Sequence, residues 1–266
     1  TYIERDYGIS VGDFYTSIWW PDLLELAEKY GIRYSGMVIE DYSEELEGPF
    51  TPNQNTQRFR YFGTSLLKAG GEIGLHGYNH IPLCMEGFDE EFGEDYVQGT
   101  YERLFDYGYW NSLDDMGASI EELIRFIKEL YPEITAEAYV PPSNILSADA
   151  RKMLSERFPQ ITSIASIYFE GDVEYTQEFE VAEDGIVETP RVISGCIIDS
   201  FMEIGALSEL NLHFVNSHFQ HPDDVLDEDR GAEAGWETMS NRLDEYMEWL
   251  YSAAPPIRNL TATEMA

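Results

Sequence analysis

The sequence is poor in positive charge and has no long apolar run. Sixteen Lys and Arg stand against 51 Asp and Glu, which gives a formal net charge of -35. A surface of this kind repels phosphate backbones and anionic lipid headgroups, so nucleic acid and membranes are poor candidate partners. No segment is apolar for long enough to cross a bilayer, and the first residues lack the pattern of a signal peptide. The chain is therefore expected to be cytosolic or the trimmed part of a longer exported protein.

Cysteine is also scarce, since only Cys84 and Cys196 occur, and neither has the spacing of a metal site. Two cysteines are too few for a disulfide scaffold, so one disulfide and two buried thiols both stay open. The acidic surface could attract a cationic polymer such as an amino-sugar chain. Solvation or adaptation to salt explains the same charge, and the scarcity of lysine favours adaptation to salt.

Linkers, low-complexity runs and internal repeats are missing from the 266 residues. We therefore expect one domain over residues 1–266. The chain stops on R-N-L-T-A-T-E-M-A without a polar tail, which favours a domain cut from a longer chain with possible flanking domains.

Strand-like and helix-like patterns alternate along the chain. The predicted strands cover 5–16, 32–39, 72–80, 136–140, 161–169, 175–181, 186–193, 212–217 and 257–261. The predicted helices cover 21–30, 53–69, 119–130, 148–158, 199–210 and 236–250. About seven strand–helix repeats predict an α/β fold with a mainly parallel sheet, specifically a distorted (β/α)7-8 barrel. Residues 81–117 break the pattern and are predicted to be a long insertion over one barrel mouth.

Four of the five histidines form two pairs, and each pair follows a strand-like run. His76 and His80 are four residues apart at the end of the third strand, a spacing that suits a divalent metal because neutral imidazole is a common zinc ligand. His218 and His221 follow the L-H-F-V-N-S run. An H-x-x-x-H pair also arises by chance, so the spacing alone is not decisive.

Polar residues collect at the predicted carboxyl ends of the strands, where α/β barrels place their ligand sites. These residues are Asp13, Glu40, Asp41, His76, His80, Ser143, Asn144, His218 and His221. A carboxylate from Asp13 and two imidazoles would leave positions for water and a substrate oxygen, and His218 could act as a general acid. The alternatives are a turn-forming role for Asp13 and a structural, hydrogen-bonded role for His218.

The order of these motifs resembles the polysaccharide deacetylase superfamily, also called the NodB-like or carbohydrate esterase family 4 fold. The shared motifs are an Asp after strand one, H-x-x-x-H after strand three, a Pro-Pro after strand four and a late His, and they span Asp13 to His221. The phrases V-P-P-S-N-I-L-S and S-H-F-Q-H-P-D-D-V-L-D are similar to a branch near the deacetylase-like portion of Pel-type exopolysaccharide proteins.

The resemblance implies an extracellular or cell-surface enzyme that removes N-acetyl groups from an amino-sugar polymer, using one divalent metal, with zinc favoured over other transition metals. It implies that Asp13, His76 and His80 bind the metal and that His218 is the general acid, with His221 as its competitor. The remaining strand-end residues are candidates for substrate binding: Glu40, Asp41, Tyr78, Pro141, Pro142, Ser143 and Asn144.

Two departures from the family pattern bear on activity. The family usually carries two adjacent aspartates after strand one, the first of them the base, but Gly12 stands at that position. The arginine common before the Pro-Pro is also missing. The base could come from Glu40, Asp41 or Asp6, or Asp13 itself could be the base.

Two further function classes stay open. A catalytically inactive descendant could bind glycan through the aromatic side chains Trp19, Trp20, Tyr78, Tyr109 and Trp110. A metal-free glycoside hydrolase would need two carboxylates roughly 5 to 10 Å apart. A zinc peptidase is disfavoured, because H-x-x-x-H lacks the glutamate that follows the first histidine in H-E-x-x-H.

Overall fold

The computed structural model describes residues 1–87, 108–165, 168–170, 173–175 and 178–266. Most of the predicted insertion over 81–117 lies outside the described residues. Its described ends contact each other, since Met85 and Trp110 form a parallel bridge and Trp110 N donates to Cys84 O at 3.2 Å. Residues Thr1–Tyr34 and Arg191–Leu260 form a first compact unit, and Ser35–Pro190 with Thr261–Ala266 form a second. A single domain over the whole chain stays a prediction.

Nine helices and nine strands are found in the described residues. The helices are α1 (Tyr2–Tyr7), α2 (Val11–Phe14), α3 (Trp20–Tyr30), α4 (Gln57–Lys68), α5 (Leu113–Leu130), α6 (Ala148–Arg157), α7 (Ser200–Leu212), α8 (Trp236–Ala253) and α9 (Ala262–Met265). The strands are β1 (Ser35–Val38), β2 (Glu72–Leu75), β3 (Ala138–Tyr139), β4 (Ser163–Ile164), β5 (Tyr168–Glu170), β6 (Val173–Tyr175), β7 (Val187–Glu188), β8 (Ile193–Ser194) and β9 (His218–Phe219). None of these helices is both long and apolar enough to span a membrane.

The second unit is built on a five-stranded parallel sheet in the order β1-β2-β3-β4-β7. Its central strands are buried, with Leu75 and Tyr139 fully inaccessible, as expected for a parallel sheet covered on both faces. Gly74 allows the close approach of β2 and β3, because a Cβ there would lie 2.9 Å from the Ala138 carbonyl oxygen. Strands β5 and β6 form a separate antiparallel pair. The predicted α/β class with a parallel sheet is confirmed, and closure into a (β/α)7-8 barrel stays a prediction.

The first unit contains α1, α2, α3, α7, α8 and the parallel pair β8-β9, in which Ile193 is opposite His218. Trp236 at the start of α8 is 2% exposed, and its ring lies 6.4 Å from that of Phe14. Its indole N–H donates to the Asp22 carboxylate at 2.7 Å. The apolar stripe predicted for the last helix is confirmed, because Met239, Leu243 and other stripe residues of α8 are buried.

The predicted strand over residues 5–16 is wrong. The segment forms α1 and α2, and a π-helical turn over Tyr15–Trp19 continues into α3. Gly8 ends α1 in the left-handed conformation, and the Ser10 hydroxyl accepts the Asp13 N–H, which caps α2. The alternation of Tyr7, Ile9 and Val11, on which the strand was predicted, spans this helix break.

The chain after α7 also differs from prediction. Leu212 ends α7, so the predicted strand 212–217 is wrong and the strand lies instead at His218–Phe219. The last predicted strand, 257–261, is also absent, because the chain enters α9 behind the cap residue Thr261.

The hairpin turn predicted at 183–185 is confirmed, since Ala182 N donates to Ile186 O at 2.9 Å. Both cysteines are buried and neither forms a disulfide, which excludes that alternative.

The start of α5 gives a first testable prediction. The sequence pattern placed the cap at Ser119, but Ser119 is buried in the helix and donates to Met116 O at 2.7 Å. Ser112 is the cap, and its hydroxyl accepts the Asp115 N–H at 3.1 Å. We expect Ser112→Ala to lower the free energy of unfolding by about 1 kcal/mol in urea denaturation.

Ser119→Ala is the matched control. We expect a change within about 0.5 kcal/mol, because the higher helix propensity of alanine offsets the lost hydrogen bond. A larger loss for Ser119→Ala than for Ser112→Ala would contradict the assignment of the cap.

Candidate functional site

His76 directly follows β2, and the sheet fixes its backbone, since His76 N donates to Val38 O at 2.9 Å. Its Nδ1 lies 2.6 Å from Val140 O, at the end of β3. A carbonyl oxygen can only accept, so Nδ1 carries the proton and the neutral ring has its lone pair on Nε2. Metal-ligating histidines typically donate their other ring N–H in this way.

His80 lies next to His76, with ring centroids 4.8 Å apart and ring planes at 77°. The turn between them is held by Asn79, whose side chain donates to Glu45 O at 2.7 Å and accepts Ile81 N at 3.3 Å. His80 has a φ of 61°, the left-handed conformation that non-glycine residues rarely adopt. The predicted histidine pair is therefore brought together by the structure.

Tyr78 supports this loop from inside. It is 1% exposed, and its hydroxyl donates to Thr51 O at 2.8 Å and to Glu45 at 3.1 Å. Its carbonyl oxygen accepts the N–H groups of Glu40 at 3.1 Å and Asp41 at 2.9 Å, which ties the end of β1 to the histidine loop. Burial raises the pKa of Tyr78, so its hydroxyl stays neutral. A ring this deeply buried offers no face on which a sugar could stack.

Glu40, after β1, is 1% exposed. One carboxyl oxygen accepts Asn53 N at 3.1 Å, while Oε2 is buried without a hydrogen-bond partner. Burial raises the pKa of Glu40 to about 8; the bond from Asn53 N opposes this rise, the neighbouring carboxylate of Glu122 adds to it, and the Arg125 guanidinium opposes it. A proton on Oε2 shared with Glu122 would satisfy both carboxyl groups. At neutral pH Glu40 is therefore a protonated, buried group and a poor catalytic base.

Asp41 and the loop after β3 complete the strand ends of this unit. Asp41 accepts the Tyr42 N–H at 2.9 Å, and the Tyr42 ring lies 6.2 Å from that of His80. Pro141 leads into a single 3₁₀ turn over Pro142–Asn144. Ser143 and Asn144 have φ values of 53° and 60°. Strained backbone of this kind concentrates at functional sites.

A wider pattern supports the same location. Among the described residues, the non-glycine residues with positive φ are His80, Ser143, Asn144 and Phe214. Three of these four lie in the loops that follow β2 or β3. Gly77 also has a φ of 83°, and a Cβ there would lie 3.0 Å from Pro142 Cγ, so the two loops fit closely.

Asp13 lies in the first unit and is exposed. It sits in the first turn of α2 and not at a strand end, and its carboxylate accepts the Ser10 hydroxyl at 2.7 Å. This is the turn-forming role weighed against metal binding. Asp6, a candidate base, is bonded to the Arg5 guanidinium at 2.5 and 2.7 Å, which lowers its pKa.

His218 lies in β9 of the first unit. Its Nε2 donates to Gly195 O at 2.7 Å, and its Nδ1 is buried without a hydrogen-bond partner. The Tyr246 ring packs edge-on at 5.6 Å. Burial lowers the pKa of His218, so the ring is neutral at pH 7.

His221 has a different environment three residues later. Its Nδ1 lies 3.7 Å from the carboxylate of Asp224, a side chain that is 3% exposed. Arg230 Nη1 contacts the same carboxylate at 3.0 Å. The sequence analysis did not single out Asp224 or Arg230, although the H-P-D-D spacing places an acid three residues after the histidine.

The aromatic side chains considered for glycan stacking are mostly internal. Trp19, Trp20 and Trp110 are 9%, 7% and 2% exposed. Rings this deeply buried pack the interior.

The donor set was compared with the requirements of a divalent metal. His76 and His80 supply two imidazoles at the right spacing, and the tautomer of His76 suits ligation. In residues 1–87, 108–165 and 178–266, no three His, Cys, Asp or Glu side chains come together as a potential metal site. The residues therefore fit two ligand positions, and Asp13 as the third ligand stays a prediction.

Comparison with known proteins gave a family and several similar structures. The family model described as "Uncharacterised protein conserved in bacteria (DUF2194)" matches residues 1–266. No curated protein matches the chain.

Three solved structures are similar to the chain. One is a putative polysaccharide deacetylase from Mycobacterium smegmatis, with 15% identity, a TM-score of 0.49, and coverage of 92% of this chain and 76% of the other. A family 4 acetyl xylan esterase from Clostridium thermocellum, in complex with a cobalt ion, has 15% identity, a TM-score of 0.47 and coverage of 93% and 83%. A CE4 family pseudoenzyme from Bacillus anthracis has 11% identity, a TM-score of 0.46 and coverage of 93% and 60%.

Proposed function

The chain belongs to the bacterial family DUF2194, and from its histidine pair and strand-end motifs we propose that it is a metal-dependent carbohydrate N-deacetylase acting on an N-acetylated amino-sugar polymer. One observation carries the proposal. His76 donates its Nδ1–H to Val140 O at 2.6 Å, and its ring lies 4.8 Å from that of His80. This arrangement supports the assignment of both imidazoles as ligands of one divalent ion, for which zinc is favoured.

The residues of the chain have distinct parts in this proposal. A bound divalent metal would polarise the acetamide carbonyl and lower the pKa of a water molecule. His76 and His80 would hold that metal. The rigid loops after β1, β2 and β3 would orient the sugar, with Asp41, Ser143 and Asn144 as the candidates that present polar groups.

The substrate class follows from charge and from the sequence resemblance. An N-acetylated amino-sugar polymer gains positive charge as acetyl groups are removed, and the chain carries a formal charge of -35. Electrostatic attraction would keep such a partly deacetylated polymer near the protein. A wall or matrix polymer implies an extracellular or cell-surface location, which is part of the proposal.

A second candidate function is supported by specific observations. Gly12 stands where the resembled family carries its base, and the described residues assemble no three-ligand metal group. A catalytically inactive descendant that binds glycan would have both features. This is the alternative that the first experiment must separate from the enzyme.

The first experiment is elemental analysis of the purified protein, followed by an acetate-release assay. The substrates are N-acetylated glucosamine and galactosamine oligomers, assayed with the identified metal restored. We expect about one metal ion per chain and acetate release that a chelator abolishes and the metal restores. Metal without acetate release would favour the glycan-binding alternative. Absence of metal would contradict both His76–His80 ligation and the enzyme proposal, and cleavage of the glycosidic bond without metal would favour a glycoside hydrolase.

A further inference from the structure

Three side-chain atoms of the first unit are out of solvent and have no hydrogen-bond partner in the described structure. They are Asn216 Oδ1, His218 Nδ1 and Tyr246 Oη. Other such atoms among the described residues, for example Glu40 Oε2, lie in the second unit. Buried polar atoms are normally bonded to protein or to ordered water, because an unpaired one costs free energy. Three of them in one unit indicate a shared partner if they lie close together.

Asn216 and His218 share one face of the strand pair β8-β9. Both belong to the chain that leads into β9, where Ser217 O accepts the N–H groups of Val192 at 3.3 Å and Ile193 at 3.1 Å. Side chains two residues apart on a β-strand point to the same face. The pairing of Ser217 with the start of β8 therefore places the side chains of Asn216 and His218 on the same side.

Tyr246 of α8 approaches both of these side chains. Its ring is 4% exposed and packs edge-on against the His218 ring at 5.6 Å. Burial raises the pKa of Tyr246 to about 12, and the neighbouring Asn216 side chain opposes that rise. The hydroxyl is therefore neutral and lies near Asn216 as well as His218. No direct hydrogen bond joins it to either of them in the described structure.

The hydrogen-bonding capacity of the three atoms defines the partner that they need. His218 Nε2 donates to Gly195 O at 2.7 Å, and burial lowers the pKa of His218, so the ring is neutral and Nδ1 can only accept. Asn216 Oδ1 can also only accept, while the Tyr246 hydroxyl can donate. A partner with two donors and one acceptor would satisfy all three atoms. A water molecule has two donors and two acceptors.

We propose that Asn216, His218 and Tyr246 form a binding site for one internal water molecule between β9 and α8. The water donates to Asn216 Oδ1 and to His218 Nδ1, and it accepts the O–H of Tyr246. Three hydrogen bonds are the usual number for a buried water. A metal or alkali cation is disfavoured, because the tyrosine hydroxyl keeps its proton and the donor set includes no carboxylate.

The water determines what His218 can do. With Nε2 bonded to Gly195 O and Nδ1 bonded to the water, the ring has no free nitrogen and links the chain after β8 to β9 and α8. This is the structural, hydrogen-bonded role that the sequence left open for His218, and it removes His218 from the candidates for general acid. The inference uses contacts within the first unit and does not depend on the proposed deacetylase function.

A high-resolution crystal structure of the protein, grown with and without rubidium chloride, tests the site directly. We expect an electron-density peak within about 3.2 Å of all three atoms and no anomalous rubidium signal at that place. A direct hydrogen bond from Tyr246 Oη to His218 or Asn216 in place of the peak would overturn the proposal. An anomalous signal at the peak would overturn it in favour of a cation site.

A solution test compares the ¹⁵N NMR signals of His218 in the wild type and in Tyr246→Phe. Water keeps its donated bond to Nδ1 in this variant, so we expect the ring to stay protonated on Nε2 and the Nδ1 resonance to stay that of a hydrogen-bonded nitrogen. We also expect Tm to fall by about 2 to 4 °C, because the water loses one of its three bonds. A shift of the Nδ1 resonance to the position of an unbonded nitrogen would show that Tyr246 itself was the donor and would overturn the water site.

Tyr251→Phe is the matched control for this comparison. Tyr251 also belongs to α8, but its hydroxyl donates to Asn259 Oδ1 at 2.6 Å, so its loss should leave the His218 signals unchanged. His213 gives an internal reference, because it is paired with Glu209 at 2.6 Å and its signals should be the same in all three proteins.

Discussion

His76→Ala and His80→Ala are each expected to abolish tight binding of a divalent metal and to lower acetate release by about 1000-fold or more. The described residues provide two imidazoles at this position and no third neighbour among His, Cys, Asp or Glu. The loss of either imidazole leaves a single protein ligand from the pair. One imidazole cannot compete with water for a divalent ion at micromolar concentration. The measurement is a competition titration with a chromophoric zinc chelator.

His76→Gln separates metal ligation from the hydrogen bond to the main chain. A glutamine amide can still donate to Val140 O, as His76 Nδ1 does at 2.6 Å. We expect His76→Gln to keep the thermal stability of the wild type more closely than His76→Ala, by about 1 kcal/mol, and to bind metal as poorly. His213→Ala serves as the control with unchanged affinity. Wild-type affinity in both His76→Ala and His80→Ala would show that the metal lies elsewhere.

The parts of the site that could be predicted from sequence are those set by local pattern. Ile73 and Leu75 alternate on a buried strand, so the position of His76 at its end followed directly. Ser147 was predicted to cap the helix over 148–158, and its hydroxyl caps α6 by accepting Ala150 N. The helix predicted over 199–210 is α7, which Asp199 caps. Contacts of this kind lie within a few residues, where sequence spacing determines geometry.

The parts that could not be predicted depend on distant contacts. The alternation at residues 5–16 satisfied the strand pattern, but Gly8 and Ser10 break the segment into two helices. Asp13 therefore lies in the first turn of α2, which Ser10 caps, and hydrophobic periodicity does not distinguish that position from a strand end. In the same way, nothing in the spacing of Glu40 and Glu122 indicates that their carboxyl groups interact, because the two residues are 82 positions apart in sequence and come together only in the folded second unit.

Glu40→Gln is expected to stabilise the protein at alkaline pH. The pKa of Glu40 rises from an ordinary value of 4.5 to about 8, first through burial and then through Glu122. Because the folded-state pKa is the higher one, this group stabilises the fold fully below pH 4.5, and that contribution is lost as the pH rises to about 8. Glutamine is neutral at every pH and can donate to Glu122, so the variant keeps a neutral, hydrogen-bonded side chain at position 40 at alkaline pH.

Thermal unfolding between pH 5 and pH 9 measures the effect. We expect Glu40→Gln and the wild type to differ little at pH 5, and the variant to be more stable at pH 9 by on the order of 3 kcal/mol, or about 5 to 10 °C in Tm. Glu133→Gln is the control, because Glu133 is exposed in the same unit and should show no pH-dependent difference. Identical pH profiles for Glu40→Gln and the wild type would mean that Glu40 is ionised in the fold.

Glu122→Gln tests the cause of the raised pKa. If the Glu122 charge keeps Glu40 protonated, removing that charge should lower the pKa of Glu40. The pH-dependent loss of stability should then shift towards that expected for a glutamate whose pKa is raised by burial alone. Arg125 would then lose the Glu122 carboxylate, to which it donates at 2.5 and 2.7 Å. Its positive charge would lower the pKa of Glu40 more strongly. At pH 9 the double variant Glu40→Gln/Glu122→Gln should gain less free energy of unfolding than the sum of the gains in the two single variants, because both substitutions relieve the same repulsion between carboxylates. Additive effects would show that burial alone, without the Glu122 charge, holds the proton on Glu40.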